Sequence, residues 1–261
     1  KSLKNLKKNF SKLLNKTPSL GKSFICFDDL NNRDVLKKIN NKNFYTYGTS
    51  ANCNFQITKI LLRTKYSKFN LKINIPGTKK IIKNIKLPLL GFHNIRNAAS
   101  AVAVSYSIGV SEKLIKKGLS KFKGVQRRFN YLFAYNDTIF FDDYAHHPTE
   151  IKSVLEGVKR VYKKKEIVCI FQPHRISRVK NLKAEFSNCF KKANTVLLCP
   201  IYKAGENLKL NFSYSSFAKL IIKNSKVNLI IIQNEKELSK YIKQSAYGGK
   251  IYIGMGAGTI T

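Results

Sequence analysis

Acidic residues are scarce in this chain: 14 aspartates and glutamates stand against 49 lysines and arginines, for a formal net charge of +35. Such a balance ordinarily points to nucleic acid, because cations that neutralise phosphates supply most non-specific affinity. Here the excess is almost all lysine, spread through every segment among asparagine and isoleucine instead of gathered on one stripe, so no nucleic-acid partner is expected. Long apolar runs are also missing. The longest, such as "NTVLLCPIY" and "VNLIIIQ", fall well short of the ~18–20 residues a membrane span requires, which excludes insertion as a helix. Five cysteines (Cys26, Cys53, Cys169, Cys189, Cys199) are odd in number and show no C-x-x-C. That argues against a disulfide framework or a zinc site, and for reduced, buried thiols in a cytoplasmic protein. The basic start "KSLKNLKKNF" has no apolar stretch behind it, so no signal peptide is visible. The only methionine is Met255, and Lys1 is expected not to be the natural start. Nothing matches the phosphate loop G-x-x-x-x-G-K-[ST], and "YGGK" at 247–250 is not one.

What is present falls into two rhythms. The first segment is lysine-rich with apolar residues at Leu3, Leu6, Phe10, Leu13 and Leu14, which fits a helix stopped by "TPSLG". Short β-rich runs follow ("SFICF", "NFYTYG", "NFQITKILLRT", "KFNLKINIPG", "KIIKNIKLPLL"), then helical patterns from Asn94 to about Ile108 and from Ser111, a plausible N-cap, to about Lys121. From residue 131 onward strand-like runs ("YLFAYNDTIFFDDY", "EIVCIF", "NTVLLCP", "VNLIII", "KIYIG") alternate with helical windows, among them "RVKNLKAEFSNCFKKA". That alternation predicts βαβ units in a mainly parallel, doubly wound sheet, an α/β fold. The domain boundary is expected near Arg127–Arg128.

Chemically dense stretches number four, and three of them hold five of the eight arginines (Arg96, Arg127, Arg128, Arg175, Arg178). Where lysine abounds, a retained arginine suggests a need for its planar bidentate fork. In "FFDDYAHHPTEI" a strand ends at Asp142–Asp143, and Pro148 suits the first position of a helix. Asp143, Tyr144, His146 and His147 then sit at a strand's carboxyl end, where open α/β sheets bind ligands. The alternative is a turn with a satisfied histidine and a capping carboxylate. "IVCIFQPHRISRVK" ends another strand at Phe171 and carries His174, Arg175 and Arg178 in the loop beyond. Parallel strands bring such loops to one rim, so both histidine groups can face the same ligand, and the two arginines can clamp a carboxylate or phosphate. In "LLGFHNIRNAASAVAV", His93, Asn94 and Asn97 lie on the first turns of an alanine-rich helix. Asn94 and Asn97 are three apart and expected to share a face, reading a planar heterocycle or else capping the helix. Arg127 and Arg128 in "GVQRRF" suit either phosphate charge or interdomain salt bridging. "GMGAG" (Gly254, Gly256, Gly258) imitates a dinucleotide fingerprint but ends a strand without a visible helix after it.

Taken in order, "LLGFHNIRNAASAVAV", "GVQRRF", "DDYAHHPTEI", "FQPHRISR", "IYKAGE" and "GMGAG" resemble the Mur ligases. The resemblance covers nearly the whole chain. It implies residues 1–127 as the latter part of a central ATP-binding domain and 128–261 as a Rossmann-like C-terminal domain, truncated at its end. It further implies an ATP-dependent amide ligase of peptidoglycan synthesis that uses Mg2+ and joins L-alanine to UDP-N-acetylmuramate through an acyl phosphate. Residue by residue, His93, Asn94 and Asn97 would lie beside adenine, and Arg128 and Asp143 would contact the nucleotide. Tyr144, His146, His174, Arg175 and Arg178 would line the amino-acid end, the arginines holding its carboxylate and His146 orienting the amine or taking its proton. The family's phosphate loop, its acidic Mg2+ ligand and its UDP-sugar domain are expected before Lys1, and the 261-residue chain alone is expected to ligate nothing. Two other readings stay open: a non-catalytic nucleotide- and amino-acid-binding module that needs a phosphate-loop partner, and a muropeptide-recycling member of the same family.

Overall fold

Alternation with a period of two is clearest in β4 (Ser67–Ile75), where Phe69, Leu71 and Ile73 are buried while Lys72 and Asn74 are exposed. An antiparallel sheet with one face packed and one wet gives that pattern. The computed structural model describes residues 2–63, 66–207 and 213–259, which fall into two compact units, Lys1–Lys123 and Gly124–Thr261.

In the first unit β1 (Ser23–Cys26), β2 (Phe44–Gly48), β3 (Phe55–Leu62), β4 and β5 (Thr78–Leu87) lie side by side in chain order. The first three run parallel and the last two pair antiparallel. Helix α3 (Phe92–Ser107) packs across β1, β2 and β3, and its Ile95, Ala98, Ala99 and Val102 close the core over Phe55, Phe69 and Ile85. Small alanines on that stripe let the helix approach the sheet. Helix α4 (Glu112–Lys121) has Ser111 as its N-cap, as its sequence predicts. Helix α1 (Leu3–Asn15) forms where expected but buries no residue of its own. The short α2 (Leu30–Leu36), which the sequence reading did not include, starts at Asp29, whose carboxylate accepts from the Asn31 N–H at 2.7 Å.

The second unit runs β6 (Asn130–Tyr135), β7 (Thr138–Asp143), α5 (Pro148–Val161), β8 (Ile167–Phe171), α6 (Ile176–Asn181), α7 (Lys183–Asn188), β9 (Thr195–Leu198), α8 (Tyr214–Ser225), β10 (Asn228–Ile231), α9 (Glu235–Ser245) and β11 (Ile251–Met255). The sheet order is β10-β9-β8-β11-β7-β6, parallel throughout except for the edge strand β6. Every residue of β8 and β11 is buried, as central parallel strands covered on both faces require. The last strand therefore inserts between β7 and β8. Their carboxyl ends flank it on one rim.

Two sequence expectations need correction. "YLFAYNDTIFFDDY" is not one strand but a hairpin, because Asn136 (φ 46°) and Asp137 (φ 59°) both take the left-handed conformation and Tyr135 pairs with Thr138. Two positive φ values make the turn whose twist matches its strands. "RVKNLKAEFSNCFKKA" is likewise two helices, α6 and α7, broken at Leu182 (φ −120°, ψ 27°). All five cysteines are free, and burial pushes the thiol of Cys53 up to about 11 and that of Cys199 to about 12, which leaves them inert. Among the described residues no helix is long and apolar enough to cross a membrane.

Candidate functional site

The rim where β7, β11 and β8 end is shaped first by a helix cap. Pro148 opens α5, and His147 before it is the N-cap, its Nδ1 accepting the Thr149 N–H at 3.3 Å. Glu150 reaches back, and its Oε2 accepts the backbone N–H groups of both His146 and His147 at 3.2 Å. This is a capping box with histidine in the place usually held by serine or threonine. Burial, more than any charge, holds the His147 imidazole below its ordinary pKa. Of the adjacent pair, His147 thus belongs to the helix, and His146 is turned to the rim.

His146 Nδ1 lies 2.8 Å from the Tyr144 carbonyl, and its ring meets that of Tyr144 edge-on at 5.1 Å. Across β11, the ring of His174 stands 5.6 Å from that of His146 and stacks on Tyr202 at 5.5 Å. A backbone bridge supports that stack: the Arg175 N–H donates to the Tyr202 carbonyl and the Tyr202 N–H to the Pro173 carbonyl. Arg178, on the first turn of α6, brings Nη1 to 3.2 Å from His174 Nδ1 and 3.1 Å from the His174 carbonyl. Burial first, then Arg178, His146 and Arg175, push the pKa of His174 down. Arg175 has φ 71° and an exposed side chain. A positive φ at a non-glycine residue is a strained conformation of the kind found at ligand-binding loops.

Asp143 ends β7 almost fully buried, with Oδ1 accepting the Ala145 N–H at 2.7 Å. Burial raises its carboxyl to about 6, against the weaker opposing pull of that hydrogen bond and of Arg128. Arg128 lies over the Tyr144 ring, 5.4 Å from its centroid, and 3.8 Å from Glu150. Arg127 does not present a free fork for phosphate. Its N–H groups donate to Asp142 Oδ2 (3.3 Å), the Gly258 carbonyl (3.0 Å) and the Gly256 carbonyl (2.8 Å), tying the glycine-rich segment after β11 to β7. The "GMGAG" stretch is therefore a strand end clamped by an arginine. A Cβ on Gly258 would fall 2.4 Å from Gln172 Oε1 and 2.7 Å from the Tyr202 ring, so that segment packs closely on the rim.

In the first unit Gly91 (φ 92°) precedes α3, and a Cβ there would lie 2.7 Å from the His93 ring. Asn94 and Asn97 are not equivalent, contrary to the expectation of one shared face. Asn94 is buried and donates its amide to the Leu90 carbonyl at 2.7 Å, while Asn97 is on the exposed side. The boundary of the core runs between them, because Ile95, Ala98 and Ala99 set which side of α3 faces the sheet.

Within the second unit the structure thus gathers Tyr144, His146, His174 and Arg178, with Asp143 and Arg128 on the β7 side. Sequence reasoning missed Glu150, Tyr202 and Glu206. Glu150 had a signal, the three-residue spacing from His147 to a glutamate that marks a capping box. Tyr202 and Glu206 had none beyond lying in "IYKAGE". Glu206 accepts from Ser177 through both its backbone N–H and its hydroxyl, which anchors the start of α6 and holds the carboxyl below its usual range.

Comparison with known proteins places these motifs. The family model described as "Mur ligase, glutamate ligase domain" matches residues 127–258, and the one described as "Mur ligase middle domain" matches residues 1–105. A UDP-N-acetylmuramate–L-alanine ligase of Pelagibacter ubique is 58% identical over the whole chain, which covers 56% of that protein. Among solved structures, the UDP-N-acetylmuramate–alanine ligase of Thermotoga maritima aligns with a TM-score of 0.66 at 25% identity, over 88% of this chain and 52% of that one. Folylpolyglutamate synthase of Mycobacterium tuberculosis aligns over 100% of this chain and 58% of its own with a TM-score of 0.75, but at 13% identity it speaks for the fold alone. The chain spans about half the length of the curated relatives it matches.

Proposed function

The chain belongs to the Mur ligase family, and on that premise we propose that it serves an ATP-dependent amide ligase joining L-alanine to UDP-N-acetylmuramate in peptidoglycan synthesis. The observation that carries the reading is the rim of the second unit: two imidazoles 5.6 Å apart, backed by Arg178 and Arg175, on a chain 58% identical to a protein of that name. In this reading residues 1–127 hold the adenine side of ATP through His93 and Asn97, with the buried Asn94 fixing the start of α3 through the Leu90 carbonyl, and residues 128–261 receive the amino acid.

The chemistry asks for positioning and charge neutralisation more than for covalent help. ATP phosphorylates the lactyl carboxylate, and the amine of L-alanine displaces phosphate from the resulting acyl phosphate. Asp143 and Arg128 are assigned to the nucleotide. Tyr144, His146, His174, Arg175 and Arg178 are assigned to the amino acid, with the exposed Arg175 as its carboxylate contact and His146 as the group that accepts a proton from its ammonium. Mg2+ would offset phosphate charge, but among the described residues no group of three or more His, Cys, Asp or Glu could hold a metal ion. No step is therefore assigned to Mg2+ here.

A chimera tests the proposal. These 261 residues replace the segment they match in the Pelagibacter ubique ligase, and phosphate release is followed with ATP, Mg2+, UDP-N-acetylmuramate and single amino acids. Release that depends on L-alanine and falls at least a hundredfold in Arg175→Ala is expected, the scale of losing a positioned charged contact. A chimera that melts cooperatively yet shows no dependence on L-alanine would sink the reading.

A further inference from the structure

The two rim imidazoles differ in which nitrogen is already engaged, and the chemistry of each partner settles where the proton sits. His146 Nδ1 is 2.8 Å from the Tyr144 carbonyl. A carbonyl only accepts, so Nδ1 must carry the hydrogen, and in the neutral ring Nε2 is left as an acceptor. His174 Nδ1 is 3.2 Å from Arg178 Nη1. A guanidinium only donates, so this Nδ1 must be the bare, accepting nitrogen, and the hydrogen of the neutral ring sits on Nε2. With ring centres 5.6 Å apart, the pair offers one acceptor and one donor.

From this we propose that Arg178 is a positioning residue that fixes His174 as the neutral Nε2–H form, so that His174 and His146 present a donor and an acceptor to the two ends of one ligand. Family resemblance gives Arg178 the task of holding the carboxylate of the amino acid, and the positioning role is additional to it. Here its Nη1 is divided between the ring nitrogen and the carbonyl of His174, which ties the arginine to the histidine of its own loop. The surroundings agree. His174 faces Arg178, Arg175 and His146, all of which disfavour a second proton on its ring, and Glu206, which opposes them more weakly. His174 is therefore unfit to act as a base and suited to donate from Nε2 to an anionic oxygen. His146 has the complementary nitrogen for an amine. That the ligand is an amino acid rests on the function proposed above; the two ring forms do not.

Nitrogen-15 spectra of the histidine side chains test this on the 261-residue chain itself. There are four imidazoles, and each signal is assigned by its loss in a single substitution. In the wild type, His174 should be protonated at Nε2 alone and His146 at Nδ1. In Arg178→Met the His174 signals should move toward the average of two exchanging forms, and its protonation midpoint should rise, while His146 keeps its form. A His174 protonated at Nδ1 in the wild type overturns the proposal without any variant. So does a His174 signal unmoved by Arg178→Met in a protein whose other histidine signals are unchanged. Because no substrate is present, failure of the amino-acid reading leaves these spectra as they are. Adding L-alanine and watching the same signals tests that reading separately.

Discussion

At Asp143 the chain places a carboxyl where its charge is poorly solvated, and that has a cost which depends on pH. Its folded pKa, about 6, lies above the ordinary aspartate value. The folded state therefore holds the proton more tightly than the unfolded chain does. Stability from this group is fully present below pH ~4, is lost as pH climbs through about 6, and stays lost above it, a total of about 3 kcal/mol. Asp143→Asn keeps an oxygen for the Ala145 N–H and removes the titration. By urea unfolding, the stability of the variant relative to the wild type should grow between pH 4 and 6 and remain as a gain at pH 7. A difference between the two that does not change with pH over that interval would show that the carboxyl is not buried as described. Sequence could place Asp143, His146 and His147 on one rim, but it could not divide their tasks. Two adjacent residues of the same type differ only in where the backbone aims them, and that is set by the start of α5.

Elements are joined here by one arginine. Arg127 bonds to Asp142 on β7 and to two carbonyls past β11, and the Asp142 side chain is only 6% exposed. Removing the cation leaves that carboxylate without its guanidinium partner in a nearly dry place, for which about 3 kcal/mol or more is expected. Arg127→Met should lower the melting temperature of the second unit, and adding Asp142→Asn should recover part of the loss. A double variant no better than the single one would mean that the ion pair is incidental. The elements themselves were mostly legible, because alternation in β4 and the all-apolar runs of β8 and β11 report burial directly. The hairpin at Asn136–Asp137 was not, since both flanking strands read as one β-rich run and only two residues mark the reversal. The break at Leu182 was missed for a similar reason: an apolar residue continues the helical pattern even where its ψ does not.

For the whole molecule, the charge of +35 has a consequence that does not depend on the site. The chain should adhere to duplex DNA at about 50 mM salt and let go by about 200 mM, because scattered cations bind only through counterion release. Fluorescence anisotropy at the two salt concentrations checks this, and saturable binding that survives the higher one would reopen the nucleic-acid reading. At this scale the sequence alone determined where most of the strands and helices lie, that the second sheet is mainly parallel, and that chemically dense loops follow β7 and β8. Those properties arise from side chains close together in the chain. Only the tertiary structure decided that β11, the last strand, slides between β7 and β8 and still leaves His146 and His174 5.6 Å apart. It alone also showed that Arg127 is a clamp and that Asn94 lies inside the core boundary while Asn97 lies outside it. Strand order and side-chain partners depend on residues up to 131 positions apart, and no local pattern records which distant surfaces will meet.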